Sequence, residues 1–335
     1  RARRLMAKGR SDRQIGGVSA LDALPPHLRQ GVDLDAPHSM PDIMEFVISD
    51  KYLDRGRPLY PRQATLLKLI FLQLDLLTDY DYDTADASAS RIIAIASRAD
   101  VLDAFDAEGM PTPAAITTAM KDDIATLVAL QNDDGGFPYW RKYDLVDPFI
   151  TIQATHALLL ARDGGYTVPV NTLDMALAYI ADIESYIPDY YGQRERDSLS
   201  AYALWVRDLA GQRDTSKAET LYQDRGDELA VDAIAWLWSS IDDTGMRDDI
   251  ERTLNNRAVE TAGAANFTTE YGDSSYLIMQ SDRRTDGIVL DALIANSPDS
   301  DLIPKVVAGL LANKVKGRWN NVQENAFILL ALKSY

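Results

Sequence analysis

Ile288-Val-Leu-Asp-Ala-Leu-Ile-Ala295 is apolar most of the way round a helical wheel, and a helix of that kind is buried on several sides. Ala326-Phe-Ile-Leu-Leu-Ala-Leu332 and Ala157-Leu-Leu-Leu-Ala161 read the same way. Between such stretches lie ordinary amphipathic helices with one wet side: Ile116, Met120, Ile124 and Leu127 share a face, as do Leu173, Ala176, Leu177, Ile180 and Ile183, and Leu302, Ile303, Val306 and Leu310. The two kinds alternate, and the more buried ones begin near residues 85, 150, 197, 228, 284 and 321, about 47 residues apart on average. That spacing predicts a mainly α fold of about six helical hairpins, with almost no alternating stretch long enough for a strand. Repeats of this size either stack into an open solenoid or close into a ring of inner and outer helices.

The turns between hairpins have their own chemistry. Gln131-Asn-Asp-Asp-Gly-Gly-Phe-Pro-Tyr-Trp140 precedes one of the buried helices, and Lys316-Gly-Arg-Trp-Asn320 precedes another. Gly supplies the turn backbone, the aromatic residue is expected to wedge the helix ends, and Asn or Asp caps the next helix. Asn132-Asp133-Asp134-Gly135 has the composition of a calcium loop but not the alternating spacing or the distal Glu, so it reads as a turn and cap.

The chain has 335 residues, 46% hydrophobic and 25% charged, which is globular composition with room for a sizeable core. Lys and Arg number 34 against 51 Asp and Glu, a net charge of −17 that repels a phosphate backbone, so no nucleic-acid partner is expected. The absence of Cys removes disulfides, thiolate nucleophiles and Cys-containing zinc sites together. The longest apolar run, Leu66 to Leu77, is short for a bilayer and is interrupted by Lys68, Gln73 and Asp75, so it reads as a core helix and no membrane span is expected.

Residues 1 to 60 differ from the rest. Pro25, Pro26, Pro37, Pro41 and Pro58, with Pro61 just past the segment's end, break any long helix there, and the first thirty residues carry seven basic side chains against Asp12 and Asp22. This segment is expected to be an irregular arm or linker, and 61–335 the helical domain. The chain starts without Met and without a signal-peptide pattern, which leaves open a piece of a longer protein.

Several segments resemble the thioester domain of bacterial α2-macroglobulins, the large envelope relatives of complement C3. They are Ser90 to Phe105 (SRIIAIASRADVLDAF), Gln131 to Trp140, Leu199 to Leu209 (LSAYALWVRDL), Asn255 to Thr269 (NNRAVETAGAANFTT), Ser281 to Ile294 (SDRRTDGIVLDALI) and Gly317 to Leu332 (GRWNNVQENAFILLAL), all in the family's order. The resemblance implies the closed ring, an α/α toroid of the kind shared with terpenoid cyclases and prenyltransferases. It also implies a chemistry, an internal thioester between a Cys and a Gln three residues later in Tyr-Pro-Tyr-Gly-Cys-x-Glu-Gln. This chain has Tyr80-Asp81-Tyr82-Asp83-Thr84-Ala85-Asp86-Ala87 there. Both flanking tyrosines, Tyr80 and Tyr82, match. Thr84 stands at the Cys position and Ala87 at the Gln position, so the bond-forming atoms are missing and a thioester is excluded. What is left reads as a helix start, with Asp83 or Thr84 as N-cap and Asp86 favourably placed in the first turn. The family also implies a His downstream that assists the transfer; His156 matches no motif and is expected to be a satisfied core histidine.

From the resemblance follow the expected function and setting: a thioester-lacking, non-enzymatic domain of a protease inhibitor in the bacterial cell envelope or periplasm. Its partners would be proteases and the other domains of a larger chain, with no cofactor and no metal. A stand-alone protein-interaction module is the alternative, and a toroid glycosidase a more distant one. For the last, Trp236 and Trp238 are the aromatic candidates for a sugar cleft, but their spacing sends them to different helix faces and favours packing. Asp79 to Thr84 lacks the Asp-x-Asp-Asp of class II cyclases, and no His-Glu-x-x-His, phosphate-binding Gly loop or Gly-x-Ser-x-Gly occurs.

Overall fold

Apolar surface that a helix cannot hide by itself decides this architecture, and the computed structural model, which describes residues 84–97, 113–261, 263–269, 271–314 and 319–335, resolves the choice between solenoid and ring. Among those residues the helices are, in chain order, α1 (Ala85–Ala96), α2 (Pro113–Leu130), α3 (Pro148–Asp163), α4 (Val170–Ala181), α5 (Gln193–Leu209), α6 (Thr215–Arg225), α7 (Val231–Trp238), α8 (Thr244–Arg257), α9 (Asp282–Asn296), α10 (Leu302–Ala312) and α11 (Val322–Ser334). The odd-numbered ones form an inner circle: α1 packs on α3, α3 on α5, α5 on α7, α7 on α9, α9 on α11, and α11 returns to α1. The ring is therefore closed. The even-numbered helices lie outside it, α2 against α1 and α3, α4 against α3 and α5, α6 against α5 and α7, α8 against α7, and α10 against α9.

Burial separates the two circles as the apolar patterns predict. In α7 every residue is buried, and in α11 all but Val322, Leu330, Lys333 and Ser334 are, whereas α8 buries Ile250 and Leu254 alone. The expected faces of α4 and α10 are the buried ones, through Leu173, Ala176, Leu177 and Ile180 and through Leu302, Ile303, Val306 and Leu310. Each fully buried side chain of this kind is worth about 1.5–3 kcal/mol. The expected helix at Leu66 to Leu77, the arm over 1–60 and the boundary after it lie outside the described residues.

Side-chain caps start many of the helices. Thr84, Asp147, Asp214, Asp243 and Asn321 each accept a hydrogen bond from the backbone N–H three residues on. Glu324 reaches back to the N–H of Asn320 at 2.7 Å, so the start of α11 satisfies two free donors with two side chains. In the 131–140 turn Gly135 takes φ +96°, Asn132 accepts from Tyr143 N at 2.6 Å and Asp134 from Gly136 N at 3.0 Å, which is the turn role expected of these residues; the cap of α3 is not among them but is Asp147. Phe137 and Trp319 are the buried wedges. Trp140 is not: it is 56% exposed and leans on Tyr139 with ring centroids 5.0 Å apart.

A short antiparallel hairpin, β1 (Val259–Thr261) and β2 (Ala264–Asn266), pairs Val259 with Asn266 and Thr261 with Ala264. It fits the mainly α expectation, and its position was not read because three residues per strand are too few for alternation to register in sequence. The hairpin packs on α10 at Gly309, where an added Cβ would fall 2.3 Å from the Ala265 carbonyl oxygen. Gly309→Ala is expected to lose about 1–3 kcal/mol in urea denaturation. Wild-type stability in that variant would show that α10 and β2 are not in such close contact.

Candidate functional site

One mouth of the ring is formed by the N-terminal ends of the inner helices, and the Thr84–Ala87 pair sits there at the start of α1. Thr84 is extended (φ −107°, ψ 156°), and its Oγ1 accepts from Ala87 N at 3.1 Å. The N–H of Ala85 donates to the Tyr139 carbonyl at 3.1 Å, tying this start to the 131–140 turn. Thr84 is fully buried and Ala87 is 1% exposed. Of the two N-cap candidates, Thr84 fills the role; Asp83, Tyr80 and Tyr82 lie outside the described residues. Thr84 Oγ1 is held by capping and Ala87 has no acyl group, so this helix start supplies structure and no transferable bond.

Asp86 is joined to a buried polar network along the axis. Its carboxylate accepts from Gln323 Nε2 and, at 3.3 Å, from the Ser90 hydroxyl; Gln323 also donates to Gln153 Oε1 at 2.9 Å, and Gln153 donates to Ser90 Oγ at 2.9 Å. Burial raises the Asp86 carboxyl above the usual range, partly offset by these hydrogen bonds and by the charges of Arg284 and Arg91. Asp147, the cap of α3, is pushed up to about 6 by burial, against its hydrogen bonds from Ile150 and Phe149, with the Asp86 charge adding to the rise. Asp286 rises to about 7, again through burial, although Arg283 and the Phe267 N–H favour its charged form.

A second network crosses the ring from α7 to α9. Arg284 is fully buried; it donates to the carbonyls of Ile278 and Met279 and to Asp232 Oδ2 at 3.4 Å, while Tyr271 donates to Asp232 Oδ1 and lies 2.8 Å from Ser198 Oγ. Glu195 accepts from Ser274, and Glu324 from Ser281. The acidic side chains of this mouth are thus taken up as internal acceptors. These partners carry no sequence motif. The one hint was a basic residue, Arg284, in helical register with Ile288 on a buried face.

His156 is in the core, as expected, but only half satisfied. Its Nδ1 lies 3.1 Å from the Tyr202 hydroxyl, its ring meets Trp205 edge-on at 4.9 Å, and Nε2 has no partner among the described residues. Burial lowers its pKa to about 3. The unfolded chain takes up a proton near pH 6.5 that the native state refuses, so the stability His156 contributes is complete above pH 6.5 and is lost as pH falls toward 3. Relative to His156→Gln, wild-type stability is expected to fall by about 1.4 kcal/mol per pH unit below 6.5. Parallel stability–pH curves for the two proteins would refute the buried neutral imidazole. Trp236 and Trp238 are both buried; Trp236 stacks on Tyr202 at 4.4 Å, consistent with packing and not with an open sugar cleft.

Among the described residues no helix is long and apolar enough to cross a membrane, and no three His, Asp or Glu side chains are grouped to hold a metal ion. A closed ring of inner helices with an outer layer defines an α/α toroid. Its fold is that of a part of the bacterial α2-macroglobulins. The Salmonella α2-macroglobulin reacted with methylamine matches with a TM-score of 0.66 and 19% identity, over 81% of this chain and 17% of that one. Native Escherichia coli α2-macroglobulin matches at 0.65 and 18%, over 79% and 17%. The Escherichia coli structure running from domain MG7 to the C-terminus matches at 0.64 and 18%, over 80% and 42%. A curated relative, Circularly permutated Ras protein 2 of Dictyostelium discoideum, is 21% identical over 295 residues, 81% of this chain and 8% of that protein. No family model matches the chain. The chain spans less than half the length of each of these proteins.

Proposed function

We propose that residues 61–335 form the toroid domain of a thioester-lacking α2-macroglobulin-like protein of the bacterial envelope, with 1–60 as an arm leading into it. The whole protein would hold proteases by physical trapping, without a covalent bond and without catalysis of its own. The observation that carries this reading is the start of α1: the toroid fold is kept, while the two positions that would join in a thioester are a capping Thr84 and a buried Ala87. With the covalent chemistry gone, the toroid is left as a packing and protein-contact body.

The test uses the protein isolated from its source cells, mixed with an endoprotease. Cleavage of a large protein substrate is expected to fall while cleavage of a small peptide persists, and denaturant should release the protease with its mass unchanged. Equal inhibition of both substrates, or a protease that stays attached in denaturant, contradicts the proposal. Labelled methylamine is likewise expected to leave no covalent label.

A further inference from the structure

At the opposite mouth, where α5 and α7 end, the ring leaves a cavity of about 160 Å³. Trp205, Trp236 and Phe327 wall it together with Ile288 and Ala292, and the one charged side chain in its lining is Asp291. The aromatic corner is held from behind. Trp236 and Phe327 have centroids 6.3 Å apart at 58°, Tyr202 stacks on Trp236, and His156 and Tyr202 both pack against Trp205.

Asp291 sits in this wall without a basic partner among the described residues. Its carboxyl is hydrogen-bonded to Ser334, and burial raises its pKa to about 6, which leaves it ionised at neutral pH. The cations near the ends of these helices are engaged elsewhere. Arg247 donates to the carbonyls of Trp238 and Ile241 and to Asn296, and Arg207 pairs with Asp214. A carboxylate set among aromatic rings favours a cation that also has apolar surface, because ring quadrupoles and the negative charge attract it together while its alkyl groups fill the dry space. A cavity of roughly 150 Å³ holds one benzene, so the space suits a single compact organic group. A primary ammonium brings three N–H donors, and the lining side chains offer oxygen acceptors only at Asp291 and Ser239. A quaternary ammonium needs no such acceptors.

We propose that this cavity binds a methylated, quaternary ammonium group of a small molecule, with Trp205, Trp236 and Phe327 as the cage and Asp291 as the counter-ion. The site is independent of the protease reading and stands on its own geometry. Calorimetric titration of the full 335-residue chain with choline, and with its uncharged isostere 3,3-dimethyl-1-butanol, tests it. Choline is expected to bind at least about tenfold more tightly than the isostere, and Asp291→Asn to weaken choline by about tenfold with the thermal midpoint preserved. In wild type, choline methyl protons should show magnetisation transfer to the indole protons of Trp205 and Trp236, a readout that needs no variant. Equal affinity for the two ligands, unchanged choline binding in Asp291→Asn, or no transfer to the indoles would each overturn the assignment.

Discussion

Arg284→Met is expected to cost about 3–5 kcal/mol of stability, the range for removing one partner of a buried ion pair. The guanidinium is fully enclosed, with its charge 5.0 Å from the Phe149 ring centroid and 5.9 Å from that of Phe327. Its loss strands the Asp232 carboxylate, which keeps only the Tyr271 hydroxyl and a neighbouring backbone N–H. It also strands the carbonyls of Ile278 and Met279, the second of which belongs to a left-handed residue (φ 49°) that ends the 3-10 turn Gly272–Ile278. Removing the stranded charge as well should restore part of the loss, so Arg284→Met combined with Asp232→Asn is expected to be less destabilised than the sum of the single variants. Urea denaturation of the four proteins in this cycle measures it. A cost below about 1 kcal/mol for Arg284→Met, or strict additivity, would mean that the pair does not hold α7 to α9.

Trp319→Ala should lose a similar amount, about 3–5 kcal/mol, because a large buried side chain leaves a cavity that the helices around it fill only partly. Trp319 is 1% exposed, and its Nε1 donates to the Leu310 carbonyl at 2.9 Å, joining the end of α10 to the start of α11. Trp319→Phe keeps most of the packing and leaves that carbonyl unpaired, so its expected cost is about 1 kcal/mol. The contrast between the two variants separates wedge from hydrogen bond. If Ala and Phe are equally mild, Trp319 is no wedge.

The inner circle was legible in sequence because stretches such as 157–161, 288–295 and 326–332, enclosed on several sides, are apolar most of the way round. The starts read near 85, 150, 197, 228, 284 and 321 fall within about one helical turn of Ala85, Pro148, Gln193, Val231, Asp282 and Val322. The cap at Thr84 was legible too, since its hydrogen bond spans three residues, whereas Asp147 and Asn321 cap their helices from just beyond the turn stretches in which a capping Asn or Asp was expected. Closure was legible only through the family resemblance, because it rests on α11 meeting α1 and on Gln323 reaching Asp86 across 237 residues, a contact that no local pattern encodes. The polar networks escaped for the same reason: a buried Arg284 demands an acceptor, but nothing local to it names Asp232, 52 residues away. At the candidate site, Thr84 and Ala87 were found through the family resemblance alone. Viewed as bare residues, they would have read as one more capped helix.

The functional account depends most on whether this toroid works inside a larger chain, and the intact mass of the native product from its source cells addresses that directly. The account predicts a mass several times 37.1 kDa, room for a region that a protease can cleave and for the domains that would close around it. A native product near 37.1 kDa would contradict it and leave a free-standing binding module in its place.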